Sequence, residues 1–122
     1  MIKEAYCSYE VSKMLKEKEF PQDDVMHFPY YMDNGFLNKG NINKGVITAY
    51  ISCLAPTQQI AMRWLREIHK LHITVFSSSQ ESWMYRITKQ HQKLEEGEYG
   101  EDFVTYEEAV EAALKYTLEN LI

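Results

Sequence analysis

Two histidines three residues apart, His69 and His72, have the spacing most suggestive of chemistry. Side chains at positions i and i+3 share one face of a helix, so two imidazoles there could bind one metal ion. Such a site needs a third ligand, and neither His27 nor His91 is near in the chain. A strand pattern also begins at His72. We therefore predict two surface histidines, no metal and no cofactor.

The two cysteines are the other candidate reactive groups. A thiol near a helix N-terminus has its thiolate stabilised, and Cys7 precedes a helical pattern. No Cys-His-Asp arrangement is recognisable, however, and Cys7 and Cys53 are too few for a disulfide scaffold. We interpret both as small, reduced, buried residues. The chain also lacks the P-loop, GxGxxG, HExxH, CxxC and GxSxG motifs, which argues against an enzyme.

A basic surface patch is the best candidate binding site. Arg63, Arg66, His69 and Lys70 fall on the polar side of one predicted helix. Joined by Arg86 and Lys89 of a later strand, these cations could instead hold phosphate. Solubility alone also places Lys and Arg on such faces. We predict that Arg63, Arg66, His69 and Lys70 form a surface that binds a partner.

The helix that carries this patch begins at Thr57, which follows Pro56 and fits an N-cap. Its apolar residues fall within one arc of the helical wheel and should face the core. These residues are Ile60, Ala61, Trp64, Leu65, Ile68 and Leu71. After Leu71 the pattern changes to the β-branched and aromatic residues of a strand, 72–76. The helix should therefore fold back onto the sheet that this strand joins.

Two further helices flank the chain. The first begins at Cys7 or Ser8, either of which fits an N-cap, and extends to about residue 18. The last begins with a capping box, Thr105 to Glu108, and extends to about residue 120. On its polar face, residues 111 and 115 form a favourable i,i+4 pair of Glu and Lys.

The remaining strands are predicted from shorter sequence patterns. Segments 25–32 and 46–54 predict an antiparallel hairpin around an exposed Asn/Lys/Gly loop, 38–45. Segment 83–88 predicts a strand and 90–102 a polar loop. The order α-β-β-α-β-β-α predicts one α+β domain over residues 1–122, with three helices packed on a four-stranded, mainly antiparallel sheet.

Charge is distributed unevenly along the 122 residues. The net charge is −5, of which residues 1–94 contribute +3 and residues 95–122 contribute −8. The acidic end argues against a protein that coats nucleic acid, without ruling out a small basic patch. No apolar segment approaches membrane-spanning length, and the N-terminus lacks a signal-peptide pattern. We therefore expect a cytoplasmic protein that does not associate with membranes.

Three segments of the sequence resemble a family of small phage- and prophage-borne proteins of gut Bacteroides-type bacteria. The segments are Cys7-Ser8-x-Glu10-Val11-x-x-x-Leu15-Lys16-Glu17-Lys18, Ala55-Pro56-Thr57-x-x-x-Ala61-x-x-Trp64-Leu65-Arg66-Glu67-x-His69 and Tyr106-Glu107-Glu108-Ala109-x-Glu111-Ala112-Ala113-Leu114. The resemblance implies a mobile-element context and a small standalone α+β domain. That family brings no known function, so the resemblance implies no active-site residues.

Together these observations predict a small phage-type accessory protein that acts as a protein-binding module. Its partner is expected to be another protein or a second copy of the chain. The alternative is a small nucleic-acid-binding protein or enzyme that uses a face formed by Arg63, Arg66, His69 and His72. A deep pocket that converges on these side chains would favour the alternative.

Overall fold

The structure is a computed structural model of the chain, and it describes residues 3–22, 29–39, 51–78, 81–93 and 97–122. Three helices are present in these ranges: α1 (Tyr9–Glu17), α2 (Gln58–Ile68) and α3 (Tyr106–Asn120). Six strands accompany them: β1 (Tyr30–Met32), β2 (Leu37–Asn38), β3 (Ile51–Leu54), β4 (Leu71–Ser77), β5 (Trp83–Lys89) and β6 (Glu98–Phe103). None of the helices in the described ranges has the length and apolar character needed to span a bilayer.

The strands form two three-stranded antiparallel sheets, in the orders β2-β1-β3 and β4-β5-β6. The α+β class and the three helices are confirmed, but the single four-stranded sheet is wrong. β2 is a two-residue return strand after the turn at Asp33–Gly35, too short to show a pattern. β6 begins within the predicted polar loop 90–102, extends one residue beyond it, and pairs with β5 through its backbone.

The predicted hairpin is confirmed as far as the structure describes it. β1 and β3 pair antiparallel, with Tyr31 opposite Cys53. The predicted strand portions 25–28 and 46–50, and loop positions 40–45, lie outside the described residues. The start of the predicted loop is instead part of the sheet, since Asn38 belongs to β2.

Each helix begins at a hydroxyl side chain that accepts from the amide three residues ahead. The acceptors are Ser8, Thr57 and Thr105, at 3.1, 3.2 and 3.1 Å from their donors. Ser8, not Cys7, is therefore the N-cap of α1. The caps predicted at Thr57 and Thr105 are confirmed.

The buried face of α2 agrees only in part with the predicted one, since Ala61 and Leu65 are buried and Trp64 packs against the core as predicted. Ile60 and Ile68 are 37% and 62% exposed. Leu71 is buried, but as the first residue of β4. α2 contacts both β4 and α3, and this orientation turns a different arc inward. The buried residues of the helix are Gln58, Ala61, Met62 and Leu65.

Glu111 joins the three helices. Its carboxylate accepts from the Ser8 amide at 2.8 Å, at the start of α1, and from the Gln58 side chain at 3.0 Å, in the first turn of α2. A carboxylate is favourable at these positions because exposed amides give a helix N-terminus a partial positive charge. The predicted pairing of Glu111 with Lys115 is wrong, and Lys115 pairs with Glu10 at 3.1 Å instead.

Candidate functional site

The turn between α2 and β4 organises the candidate site. α2 ends at Ile68, and the His69 amide donates to the Leu65 carbonyl at 3.0 Å. Lys70 then adopts a left-handed conformation, φ 60°, which reverses the chain into β4. The Lys70 carbonyl accepts from the Gln90 amide at 2.9 Å. The turn is therefore fixed against the end of β5.

A groove of about 530 Å³ opens beside this turn, between the β4-β5-β6 sheet and the end of α3. Apolar side chains, two of them buried and two half-buried, form its floor, and polar side chains form its rim. The floor is Leu71, Ile87, Leu121 and Ile122, and the rim is His69, Lys89, Gln92 and Glu98. We call this the α2–α3 groove.

A smaller hollow of about 220 Å³ adjoins the groove and shares Lys89 with it. We call it the basic hollow, because every side chain that lines it is polar and three are cationic. Its lining residues are Arg66, Lys70, His72, Thr88, Lys89 and Gln90. No acidic side chain lines it, and Arg66, Lys70 and Lys89 make no ion pair within the described ranges of the chain.

The predicted patch of Arg63, Arg66, His69 and Lys70 divides between these two features. Arg66 and Lys70 line the basic hollow, and His69 lines the α2–α3 groove. Arg63 lines neither, because its guanidinium points to Glu67 one turn later, at 3.0 Å. Both partners of that pair are more than half exposed, so the pair contributes little to stability.

The two histidines do not share a helix face. His69 is the C-cap of α2, and its ring packs edge-on against Trp64, with centroids 4.8 Å apart. His72 is an exposed residue of β4 that lines the basic hollow. The two histidines therefore do not form the helical i,i+3 pair that binding one metal ion would require. Over the described ranges, no group of three or more His, Cys, Asp or Glu side chains could hold a metal ion.

Glu98 lies on the rim of the groove as a hydrogen-bonded carboxylate. The Tyr116 hydroxyl donates to it. Burial raises the pKa of Tyr116, and the charge and hydrogen bond of Glu98 raise it further. The phenol therefore stays neutral at neutral pH and remains a hydrogen-bond donor to Glu98.

From the sequence, Lys89 was named only in the phosphate alternative, and several other lining residues were not predicted at all. Lys89 is opposite Leu71 in the β4–β5 register, which brings it beside the end of α2. Glu98 and Gln92 lie in the segment 90–102, which was predicted to be a polar loop. No local pattern marks these positions, because only the strand register and the helix packing bring them together.

Both cysteines are buried, and neither lines the groove. Cys7 is fully buried and its thiol contacts the Thr57 carbonyl at 3.8 Å, while Cys53 packs with Tyr31 beneath the first sheet. Burial raises the pKa of both thiols, and the nearby Glu111 raises that of Cys7 further. Neither thiol has thiolate character at neutral pH.

We expect both thiols to react slowly with an aromatic disulfide reagent at neutral pH in the folded protein. Burial restricts access, and the raised pKa values leave almost no thiolate to attack. The unfolded protein in denaturant is the control, and both cysteines should react there at the rate of free cysteine. Labelling of Cys7 at that rate in the folded state would contradict the burial described above.

Lys70 tests the geometry of the turn. The left-handed conformation is strained for any residue that has a Cβ atom, so Lys70→Gly should relieve it and Lys70→Ala should not. Both variants lose the contact of the ammonium group with the Glu67 carbonyl, 2.8 Å in length. We expect the glycine variant to be more stable than the alanine variant by about 1 kcal/mol in urea unfolding. Equal stabilities would mean that residue 70 is not left-handed.

The chain matches no family model, no curated protein and no solved structure. A functional interpretation therefore depends on the α2–α3 groove and the basic hollow themselves. The resemblance of the helices to phage- and prophage-borne proteins stays a prediction.

Proposed function

We propose that this chain is a small protein-binding module that takes a segment of a partner protein into the α2–α3 groove. The observation that carries the proposal is the groove itself: an open concavity with an apolar floor and a polar rim. Concave sites of this composition are the usual places for ligands, because the floor supplies affinity and the rim supplies orientation. A phage-type accessory role is the context that the helix resemblance supports.

The volume and the floor of the groove suit a side chain rather than a large flat surface. About 530 Å³ exceeds what one large apolar side chain needs, and the half-buried Leu121 and Ile122 are the floor residues that leave apolar surface for contact. Binding energy at protein interfaces is concentrated in a few apolar anchors of this kind. The groove therefore suits a segment that inserts one or two apolar side chains.

The ionisable side chains of the rim favour binding over catalysis. His69 is packed against Trp64, and Glu98 accepts from the Tyr116 hydroxyl. General acid–base or nucleophilic chemistry needs a base within hydrogen-bond reach of a reactive group. His69 and Glu98 are instead engaged with their own neighbours, and both thiols are buried.

A peptide display experiment tests this proposal. A library of random twelve-residue peptides is panned against the immobilised full chain, and enriched peptides are remade and measured by fluorescence anisotropy. Gln92 is an exposed rim residue, so Gln92→Trp should fill the mouth of the groove without disturbing the core. Its neighbour Lys93 is exposed and does not line the groove, so Lys93→Trp is the matched control.

We expect enriched peptides to contain an apolar residue and to lose at least about tenfold in affinity for the Gln92→Trp variant. The Lys93→Trp variant should bind as the unchanged chain does. Enrichment of no peptide, or equal binding by both tryptophan variants, would contradict the proposed function.

A further inference from the structure

The basic hollow adjoins the α2–α3 groove, and the two share Lys89. We propose that the partner segment carries an acidic side chain next to its apolar anchor, and that the basic hollow binds its carboxylate. This inference rests on the proposed function, because the acidic side chain arrives with the segment that fills the groove.

The charge of the hollow supports a carboxylate ligand. Arg66, Lys70 and Lys89 each bring a positive charge, and none of them makes an ion pair with a described residue. One turn earlier on the same helix, Arg63 shows the contrasting case, since it is paired with Glu67. Cations grouped without an acidic neighbour repel one another, and an incoming carboxylate relieves that repulsion.

Three hydrogen bonds, each of which involves at least one backbone atom, hold the lining of the hollow in place. The hydrogen bond from the Gln90 amide to the Lys70 carbonyl ties the end of β5 to the turn after α2. The Lys89 amide donates to the Gln92 side chain at 3.0 Å. The Lys70 ammonium donates to the Glu67 carbonyl, so it remains at the end of α2. A site that is already ordered loses less entropy when a ligand binds.

The shared Lys89 limits the spacing of the two recognised groups. An extended segment advances about 3.4 Å per residue, and successive side chains point to opposite sides. Leu71 and Ile87 of the groove lie on the opposite face of β4 and β5 from His72 and Thr88 of the hollow, so the anchor and the carboxylate are expected within a few residues of each other, on either side of Lys89 at the end of β5. The basic hollow thus selects a short motif rather than a general negative charge.

The rim of the groove gives this motif a direction. Lys89 is cationic and Glu98 is a carboxylate, and both line the groove. An acidic residue placed on the Glu98 side would meet a like charge, whereas on the Lys89 side it reaches the hollow. The partner segment should therefore be acidic on one side of its anchor only.

Matched peptides and matched variants test the inference. The best display peptide is synthesised with its acidic residue as Asp or Glu and again as the isosteric Asn or Gln, and both are measured by fluorescence anisotropy. Arg66→Gln removes one cation of the hollow, and Arg66→Gln with Lys70→Gly removes two. Arg63→Gln is the control, because it removes the same charge from the same helix but lies outside the hollow.

We expect the acidic peptide to bind about fivefold more tightly than its amide counterpart, with the difference lost in the double variant and at high salt. The Arg63→Gln variant should keep the full difference. Equal binding of the two peptides, or equal loss in the Arg63 and Arg66 variants, would overturn the inference. If Gln92→Trp still abolished binding in that case, the proposed function would stand without it. A chain that binds no peptide but binds single-stranded DNA at low salt would overturn both.

Discussion

Leu65→Ala is expected to lower the free energy of unfolding by about 2–5 kcal/mol. Leu65 is fully buried in the main core cluster, on the face of α2 that meets β4 and α3. Removing its side chain deletes apolar contacts and leaves a cavity that the three surrounding elements cannot collapse to fill. Urea unfolding followed by far-ultraviolet circular dichroism measures the loss.

The control for this prediction is on the same helix. Ile68 was predicted to be buried but is 62% exposed, so Ile68→Ala should change stability by no more than about 0.5 kcal/mol. The pair of variants therefore tests the orientation of α2 directly. A loss at Ile68 as large as that at Leu65 would support the face predicted from the helical wheel, which buries both residues, and contradict the observed one.

Gly100→Ala is expected to cost about 1–3 kcal/mol, although alanine is a conservative change on most surfaces. Gly100 is opposite Tyr85 in the β5–β6 register, and the Tyr85 ring lies over it. A Cβ atom at this position would overlap the ring atoms of Tyr85. The ring cannot easily move, because it stacks on Phe103 with centroids 5.9 Å apart.

A double-mutant cycle separates this clash from a general preference for glycine. With Tyr85→Leu as the background, the overlapping ring is absent, so Gly100→Ala should cost much less. The measured quantity is the coupling free energy from urea unfolding of the four proteins. Additive effects of the two substitutions would show that the ring of Tyr85 does not cover Gly100.

The local features of the sequence predicted the helices well. A hydroxyl residue ahead of an apolar period fixes a helix start, and Thr57 and Thr105 both behave as expected. The choice between Cys7 and Ser8 was left open because a cap at Cys7 would place Glu10 at position N3 of a capping box, whereas Ser8 offers the better acceptor. The structure resolves it in favour of Ser8, which has the better hydrogen-bond acceptor.

Features that depend on contacts with residues distant in the sequence were predicted poorly. β6 has glycine and acidic residues where a strand usually has apolar ones, and it is an edge strand of its sheet. Its strand character comes from backbone pairing with β5 and from the Tyr85 ring that covers Gly100. A single-sequence pattern cannot show either contact.

In the candidate site, too, the residues of one helix were predicted and the residues that other elements contribute were not predicted as part of it. Arg66, His69 and Lys70 were predicted from the polar face of one helix, and the structure places each of them in the groove or the hollow. Lys89 and Glu98 come from other elements, and only the sheet register and the end of α3 bring them to the same groove. Helical periodicity alone carries no information about such distant residues.

The measurement that most directly tests this account is a map of amide chemical-shift changes in the nitrogen-15-labelled full chain on titration with the best display peptide. We predict that the changes concentrate at His69, Leu71, Lys89, Gln92 and Glu98, around the α2–α3 groove, and extend to Arg66 only with an acidic peptide. Changes centred on the β2-β1-β3 sheet, with the groove residues unaffected, would contradict it.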